Sequence, residues 1–260
     1  MSSTPDIFRA AENGDAAMLS ALINAKADIH VKNHSDLSPL HLAARNGYSA
    51  AVQVLVDAKA DVNVTDSHNR TPILLAAEEG HSAVVKILVD SWAIPDAPDE
   101  SNLTPLHVAA EKGNVEVVRV LIDARVALEA KGLNGRAPLH RAATYNRSEV
   151  IKVLLEANAA VDIRGEWNNE TPLHCTAFYG RSAAARALLD GKASADAKDR
   201  FQQTALHAAA GAGHFEVAEV LIHAKATSDV EDGDGKTPLH YAACTRHTNI
   251  IRVLLDQERV

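Results

Sequence analysis

The chain has 260 residues, of which 47% are apolar and only 4% aromatic, and its formal net charge at pH 7 is −8. This acidic balance argues against nucleic acid and an anionic membrane surface as partners, because both need a clustered basic surface. Two cysteines, Cys175 and Cys244, are too few for a disulfide framework. Since no segment is typical of a secretory signal or a membrane span, we expect a monomeric protein of the cytoplasm or nucleus.

A motif of the form Thr-Pro-Leu-His recurs along the chain at a nearly constant spacing. Successive copies begin 33 residues apart, except for one step of 34. The motifs start at Ser38, Thr71, Thr104, Ala137, Thr171, Thr204 and Thr237. A fixed period of this length indicates a repeat protein in which one supersecondary unit is stacked many times.

Each repeat predicts two helices. Ser or Thr at the start of the motif suits a helix N-cap, and proline follows at the first helical position, where no N–H is required. A short Ala-rich helix then ends at a turn with glycine, which adopts positive φ without strain. The second helix carries aliphatic residues at helical spacing, as at Val117, Val118 and Leu121. The turn glycines are Gly47, Gly80, Gly113, Gly180 and Gly213.

These features resemble the ankyrin repeat family, whose hallmark is Thr-Pro-Leu-His-x-Ala-Ala in a unit of 33 residues. The resemblance covers nearly the whole chain and implies an all-α repeat solenoid of about eight stacked helix–turn–helix repeats. It also implies β-hairpin-like fingers and a curved stack with a concave binding face. We expect a single domain, residues 1–260. Its repeats 1 to 8 are predicted at 1–33, 34–66, 67–99, 100–131, 132–165, 166–199, 200–232 and 233–260, the first being a polar N-terminal cap.

The pattern predicts neither an enzyme nor a cofactor or metal site. Six of the thirteen histidines occupy the motif, where the resemblance implies that each ring hydrogen-bonds the backbone of a neighbouring loop. They are His41, His107, His140, His174, His207 and His240, and Leu74 stands at this position in repeat 3. Two glycine-containing segments, Gly233–Thr237 and Gly211–Gly213, fall short of the phosphate-loop and dinucleotide motifs.

Residues at variable positions, in the loop before each cap and at the end of the first helix, carry the functional prediction. Five of the ten aromatic residues fall at such positions in repeats 5 to 7, and aromatic and Arg side chains are enriched in binding hot spots. The predicted partner-binding residues are Leu133, Arg136, Tyr145, Trp167, Phe178, Tyr179, Arg200 and Phe201, together with acidic Glu78, Glu79 and Glu111 in repeats 3 and 4. The alternative is that some rings only pack against neighbouring loops.

The sequence therefore predicts a protein–protein interaction module that holds an apolar, basic-flanked segment of a partner, with aromatic anchors and acidic steering. Two alternatives stay open at this point. One is a regulatory inhibitor or assembly factor that masks a partner's surface. The other is a targeting arm or an effector fragment of a larger protein. Repeat 6 is predicted to be the softest, because Ala184, Ala185 and Ala187 stand where repeat 4 has valines.

Overall fold

The computed structural model describes residues 4–257, which form sixteen α-helices and one short 3-10 helix. No β-strand occurs in this part of the chain. The helices divide between two compact bodies, here called the N-terminal half, which ends at Ala127, and the C-terminal half, which begins at Leu128. Between Thr4 and Gln257 we find no helix with the length and apolar character needed to cross a membrane.

The helices follow one another in short pairs. Those of the N-terminal half are α1 (Thr4–Glu12), α2 (Ala16–Asn24), α3 (Pro39–Arg45), α4 (Ser49–Asp57), α5 (Pro72–Glu79), α6 (Ser82–Asp90), α7 (Pro105–Lys112) and α8 (Val115–Asp123). The C-terminal half contains the 3-10 helix Leu133–Gly135, then α9 (Pro138–Thr144), α10 (Ser148–Glu156), α11 (Pro172–Tyr179), α12 (Ser182–Asp190), α13 (Ala205–Ala212), α14 (Phe215–His223), α15 (Pro238–Thr245) and α16 (Thr248–Gln257).

Within each half the helices form two layers. Odd-numbered helices pack against the next odd-numbered helix, and even-numbered helices against the next even-numbered one. The odd layer buries small side chains such as Ala43 and Ala76, whereas the even layer buries larger ones such as Val117 and Leu121. Small residues allow the odd helices to approach closely, and the aliphatic side chains fill the space on the other side. The all-α repeat architecture predicted from the motif is confirmed.

The motif explains how each odd helix begins. Ser38 is the N-cap of α3, and proline follows it in the first turn. The backbone N–H of Ser38 donates to Nδ1 of His41 at 3.1 Å, while Nε2 of His41 donates to the carbonyl oxygen of Arg70 at 3.0 Å. The first bond recurs in the motifs that contain His107, His140, His174, His207 and His240. The histidine thus caps its own helix and joins it to the next loop, as the resemblance implied.

These two bonds require a neutral imidazole, because Nδ1 must accept a hydrogen bond and Nε2 carries the single ring proton. Burial keeps the ring in that state: it lowers the pKa of His140 to about 4, although the hydrogen bond to the Glu170 carbonyl acts in the opposite direction. Burial also lowers the pKa of His41, His174 and His207. These four histidines therefore join neighbouring repeats as groups that remain uncharged at neutral pH.

Candidate functional site

The loops between repeats share one internal design. We call them finger loops; they comprise residues 33–38, 66–71 and 99–104 in the N-terminal half and 132–137, 165–171, 199–204 and 232–237 in the C-terminal half. In loop 199–204, Oδ1 of Asp199 accepts hydrogen bonds from the backbone N–H groups of Phe201 and Gln203, at 2.8 and 2.9 Å. Asn33, Asp66, Asp99 and Asp232 make the same pair of bonds. An Asx side chain of this kind fixes a tight turn.

Two neighbouring finger loops depart from this design, because Gly132 and Gly165 stand where the others have Asp or Asn. At Gly165 the carboxylate of Glu170 takes the space of the missing side chain: a Cβ added there would lie 2.8 Å from Oε1 of Glu170. Oε2 of Glu170 accepts from the backbone N–H of Asn168 at 3.2 Å. This loop contains the extra residue of the 34-residue step. Glu170 supplies the carboxylate that accepts from a backbone N–H in this loop, as the first residue does in the loops that begin with aspartate.

Glu170 also joins two finger loops. Its Oε1 accepts from Nε of Arg136, in the preceding loop, at 2.8 Å, and the Glu170 side chain is only 9% exposed. Burial alone would raise the pKa of Glu170, but hydrogen bonds, with that from Arg136 first among them, hold it below its usual value. Glu170 is therefore ionised at neutral pH and forms an ion pair at the base of the loops.

A cavity of about 410 Å³ opens beside this ion pair, within the range of ordinary ligand pockets. Its lining residues are Asn134, Arg136, Trp167, Asn168, Glu170, His174, Cys175, Phe178, Tyr179, Asp199, Phe201, Gln203 and Ala208. Three of its aromatic rings, those of Trp167, Phe178 and Phe201, are 63%, 60% and 54% exposed. Exposed rings gathered at one place are typical of a surface that another molecule covers.

Small side chains make the room for this cavity. The residue after the motif histidine faces the preceding repeat, and in α11 and α13 it is Cys175 and Ala208. The equivalent residues of the N-terminal half are larger, namely Leu42, Leu75 and Val108, and all three are buried. Burial raises the pKa of the Cys175 thiol to about 11, so that it is neutral and contributes an apolar wall rather than a nucleophile.

Five of the predicted partner-binding residues, Arg136, Trp167, Phe178, Tyr179 and Phe201, line this cavity. The rings of Phe178 and Tyr179 pack edge to face, with centroids 5.0 Å apart. Their grouping was expected from the sequence, while their role in binding stays a prediction.

Three other predicted residues of the C-terminal half do not line the cavity. Leu133 lies in the 3-10 helix and is 55% exposed. The ring of Tyr145 lies 6.0 Å from the guanidinium carbon of Arg141, a cation–π distance. Arg200 donates from Nη1 to the carbonyl oxygen of Trp167 at 2.9 Å and so supports the loop that carries the indole.

The acidic residues of the prediction lie in the N-terminal half. Glu78 and Lys112 form an ion pair at 3.5 Å, Glu79 is exposed, and Glu111 is half-buried at the end of α7. Lys112 therefore offsets part of the negative charge on this surface. Between residues 4 and 257 no three His, Cys, Asp or Glu side chains are grouped so that they could hold a metal ion.

Sequence reasoning missed three residues that shape the cavity: Glu170, Asp199 and Ala208. The signal for Glu170 was the pair of glycines that replace the Asx residue, together with the 34-residue step. The signal for Ala208 was a small residue at a position that is large in the N-terminal repeats. Both are visible only when the repeats are compared position by position.

Comparisons with known proteins agree with this architecture. A family model of ankyrin repeats (three copies) matches residues 7–99, 92–164, 123–199 and 173–260. The crystal structure of the human ASB11 ankyrin repeat domain is similar, with a TM-score of 0.75 and 29% identity over 84% of this chain and 96% of that chain. The ankyrin repeat domain of Bcl-3, a member of the IkappaB protein family, has a TM-score of 0.74 and 28% identity over 84% of this chain and all of that chain. A search of curated protein sequences found no significant match.

Proposed function

Because the chain belongs to the ankyrin repeat family, whose domains are in general protein–protein interaction modules, we propose that it binds a partner protein through the cavity of its C-terminal half. The observation that carries this proposal is that three exposed aromatic side chains, those of Trp167, Phe178 and Phe201, line one cavity of about 410 Å³. We name this surface, with Arg136 and Tyr179, the aromatic surface. On this proposal the protein acts by binding and carries out no catalysis.

The aromatic surface has the composition of a binding hot spot. Large rings supply contact area at a small cost in conformational entropy, and truncating one at the centre of an interface commonly costs about 2 kcal/mol or more. The ion pair of Arg136 with Glu170 holds the floor in place before binding, which reduces the entropy lost on association.

The charge of the protein favours a partner segment with basic residues beside an apolar anchor. The net charge is −8, and Glu79 is exposed in the N-terminal half. Such charges accelerate the encounter with a basic partner more than they strengthen the complex. We place this activity in the cytoplasm or nucleus and in a monomer, in keeping with free thiols at Cys175 and Cys244.

The test is affinity capture from cell lysate with the full chain as bait, read by quantitative mass spectrometry. Wild type is compared with a Trp167→Ala/Tyr179→Ala double variant. The matched control is Trp92→Asn, which removes an indole that is 89% exposed in the N-terminal half. Trp92 has φ 68°, and Asn158 adopts nearly the same φ of 67°, so the control leaves the backbone unstrained.

We expect wild type and the Trp92→Asn control to recover the same partner and the double variant to lose it. Circular dichroism must show equal helix content in all three proteins. Equal recovery by wild type and the double variant would move the binding site away from the aromatic surface.

A further inference from the structure

The space between two finger loops is filled by the protein's own tyrosine at one place in the C-terminal half. The ring of Tyr241, on α15, packs edge to face on His207 with the ring centroids 5.7 Å apart. Its hydroxyl donates to Oδ2 of Asp232 at 2.6 Å and accepts from Nε2 of Gln203 at 2.6 Å. A phenol is thus held by a histidine ring, a carboxylate and one further polar side chain.

The cavity of the aromatic surface is the same place one repeat earlier. Subtracting 33 from each number turns His207, Asp232 and Gln203 into His174, Asp199 and Glu170, all of which line the cavity. Tyr241 itself becomes Ala208, which also lines it. The cavity therefore retains the histidine and the aspartate that hold a phenol one repeat later, with Glu170 in place of the donor Gln203, while the residue that would supply the phenol is an alanine.

In the cavity, the carboxylate of Asp199 has one oxygen without a donor among the residues that the structure describes, and the equivalent oxygen of Asp232 accepts from the tyrosine. In loop 232–237, Oδ1 of Asp232 holds the turn and Oδ2 accepts from the tyrosine. In loop 199–204, Oδ1 of Asp199 holds the turn in the same way, and Oδ2 accepts no hydrogen bond from any residue between 4 and 257. By contrast, both oxygens of Glu170 already accept a hydrogen bond, Oε1 from Arg136 and Oε2 from Asn168.

We propose that this cavity takes a tyrosine side chain of the partner protein, with the ring on His174 and the hydroxyl donating to Oδ2 of Asp199. The inference rests on the protein-binding function proposed above and names the residue that the aromatic surface recognises. A lysine side chain also carries a donor for Asp199, but it has no ring to pack edge to face on His174 as Tyr241 does on His207. A phosphorylated tyrosine would bring its negative charge against Asp199 and Glu170.

The experiment is a titration of the ¹⁵N-labelled full chain followed by NMR, with N-acetyl-tyrosinamide and N-acetyl-phenylalaninamide as probes. The two probes differ by one hydroxyl, and the readout is the shift of the backbone amides of Asp199 and Ala208. We expect saturable binding of both probes, with about fivefold tighter binding of the tyrosine probe, because a hydrogen bond to a carboxylate is worth more than a neutral one.

Two variants locate the effect. Asp199→Asn keeps Oδ1 for the turn, as Asn33 does in loop 33–38, and replaces the acceptor Oδ2 with an amide nitrogen. We expect it to reduce the preference for the tyrosine probe to about twofold or less. Ala208→Tyr places the protein's own phenol in the cavity, as at Tyr241, and should abolish the shifts caused by either probe.

Equal affinity of wild type for the two probes overturns the inference, and so does an unchanged preference in Asp199→Asn. The absence of shifts at Asp199 and Ala208 with both probes overturns it as well. None of these outcomes bears on whether the Trp167→Ala/Tyr179→Ala variant loses its partner, which decides the proposed function separately.

Discussion

The sites at Tyr241 and at Ala208 share one backbone and differ mainly in one side chain. Each has a buried motif histidine as its floor, an aspartate that holds a finger loop, and an odd-numbered helix on either side. At Tyr241 the chain fills the space itself, and at Ala208 it leaves a cavity of about 410 Å³. In this scaffold, the residue after the motif histidine decides whether the space is closed or open to another molecule.

In the N-terminal half the equivalent space is filled by apolar side chains. Leu42, Leu75 and Val108 occupy the same position there and are buried. An aliphatic side chain in this position has no polar group that needs a hydrogen-bond partner, whereas the Tyr241 hydroxyl forms two hydrogen bonds. The cavity at Ala208 is therefore a local change in side-chain size on a backbone geometry that the repeats share.

The largest expected effect comes from the buried motif histidines, which include His174 and His207 of the two sites as well as His140. The pKa of His140 is about 4 in the folded chain and about 6.5 when unfolded, so only the unfolded chain takes up a proton between these values. The free energy of unfolding should be constant above pH 7.5 and fall as the pH drops from 6.5 towards 4. His140 alone should lower the free energy of unfolding by about 3 kcal/mol over this pH range. Urea denaturation at half-unit pH steps measures this.

A His140→Leu variant is the control, because Leu74 occupies this position naturally in repeat 3. Its absolute stability will be lower, since the Glu170 carbonyl loses a donor, but its slope between pH 6.5 and 4 should be shallower than that of wild type. A wild-type stability that does not change between pH 7 and 5 would contradict the neutral, buried histidines.

Tyr241→Ala should convert the closed site into an open one. The ring contact with His207 and the hydrogen bonds to Asp232 and Gln203 are lost together. We expect a loss of about 3 kcal/mol at pH 7, because a partly buried ring and a charge-assisted hydrogen bond are removed. Urea denaturation followed by circular dichroism gives the value, and a loss below 1 kcal/mol would show that the ring contributes little to the repeat stack.

Tyr241→Phe separates the hydroxyl from the ring. Burial acts to raise the pKa of Asp232, but hydrogen bonds, with that from Tyr241 first among them, lower it to about 2. Removing the hydroxyl should cost about 1.5 kcal/mol at pH 7. It should also move the pKa of Asp232 towards its ordinary value, which a carboxyl-carbon NMR titration detects. An unchanged pKa of Asp232 would mean that the remaining hydrogen bonds, from the backbone N–H groups and Gln203, hold it low.

The repeats and the helix caps could be predicted because they depend on residues close in sequence and recur at a nearly constant spacing, whereas the histidine bonds were implied by the resemblance to ankyrin repeats. Ser38 begins one motif and Gly47 ends the helix that follows it, and the roles of both residues follow from local geometry. The clustering of Trp167 and Phe201 also followed from the period, since equivalent positions of adjacent repeats lie side by side.

The cavity itself could not be predicted in this way. It depends on a small residue, Ala208, which leaves unfilled the space that a larger side chain would occupy. It also depends on Glu170, which lies against the start of its own loop, a loop with one extra residue. Neither residue has a chemical signature of its own. Their meaning appears when the loop of Glu170 is compared with the loops that begin with aspartate.

The smallest expected effect comes from closing the open site. Ala208→Tyr should place its hydroxyl on Oδ2 of Asp199 and its ring on His174, as Tyr241 does on Asp232 and His207. Filling a cavity in a compatible geometry commonly stabilises a protein by about 1 kcal/mol, and part of the gain is offset by the ordering of the new side chain. Ala208→Phe is the matched control, and it should give a smaller gain because it leaves Asp199 without the donor. Thermal and urea denaturation of both variants measure the difference at pH 7. If the two variants are equally stable, the hydroxyl finds no partner in the cavity, and the resemblance between the two sites is one of shape alone.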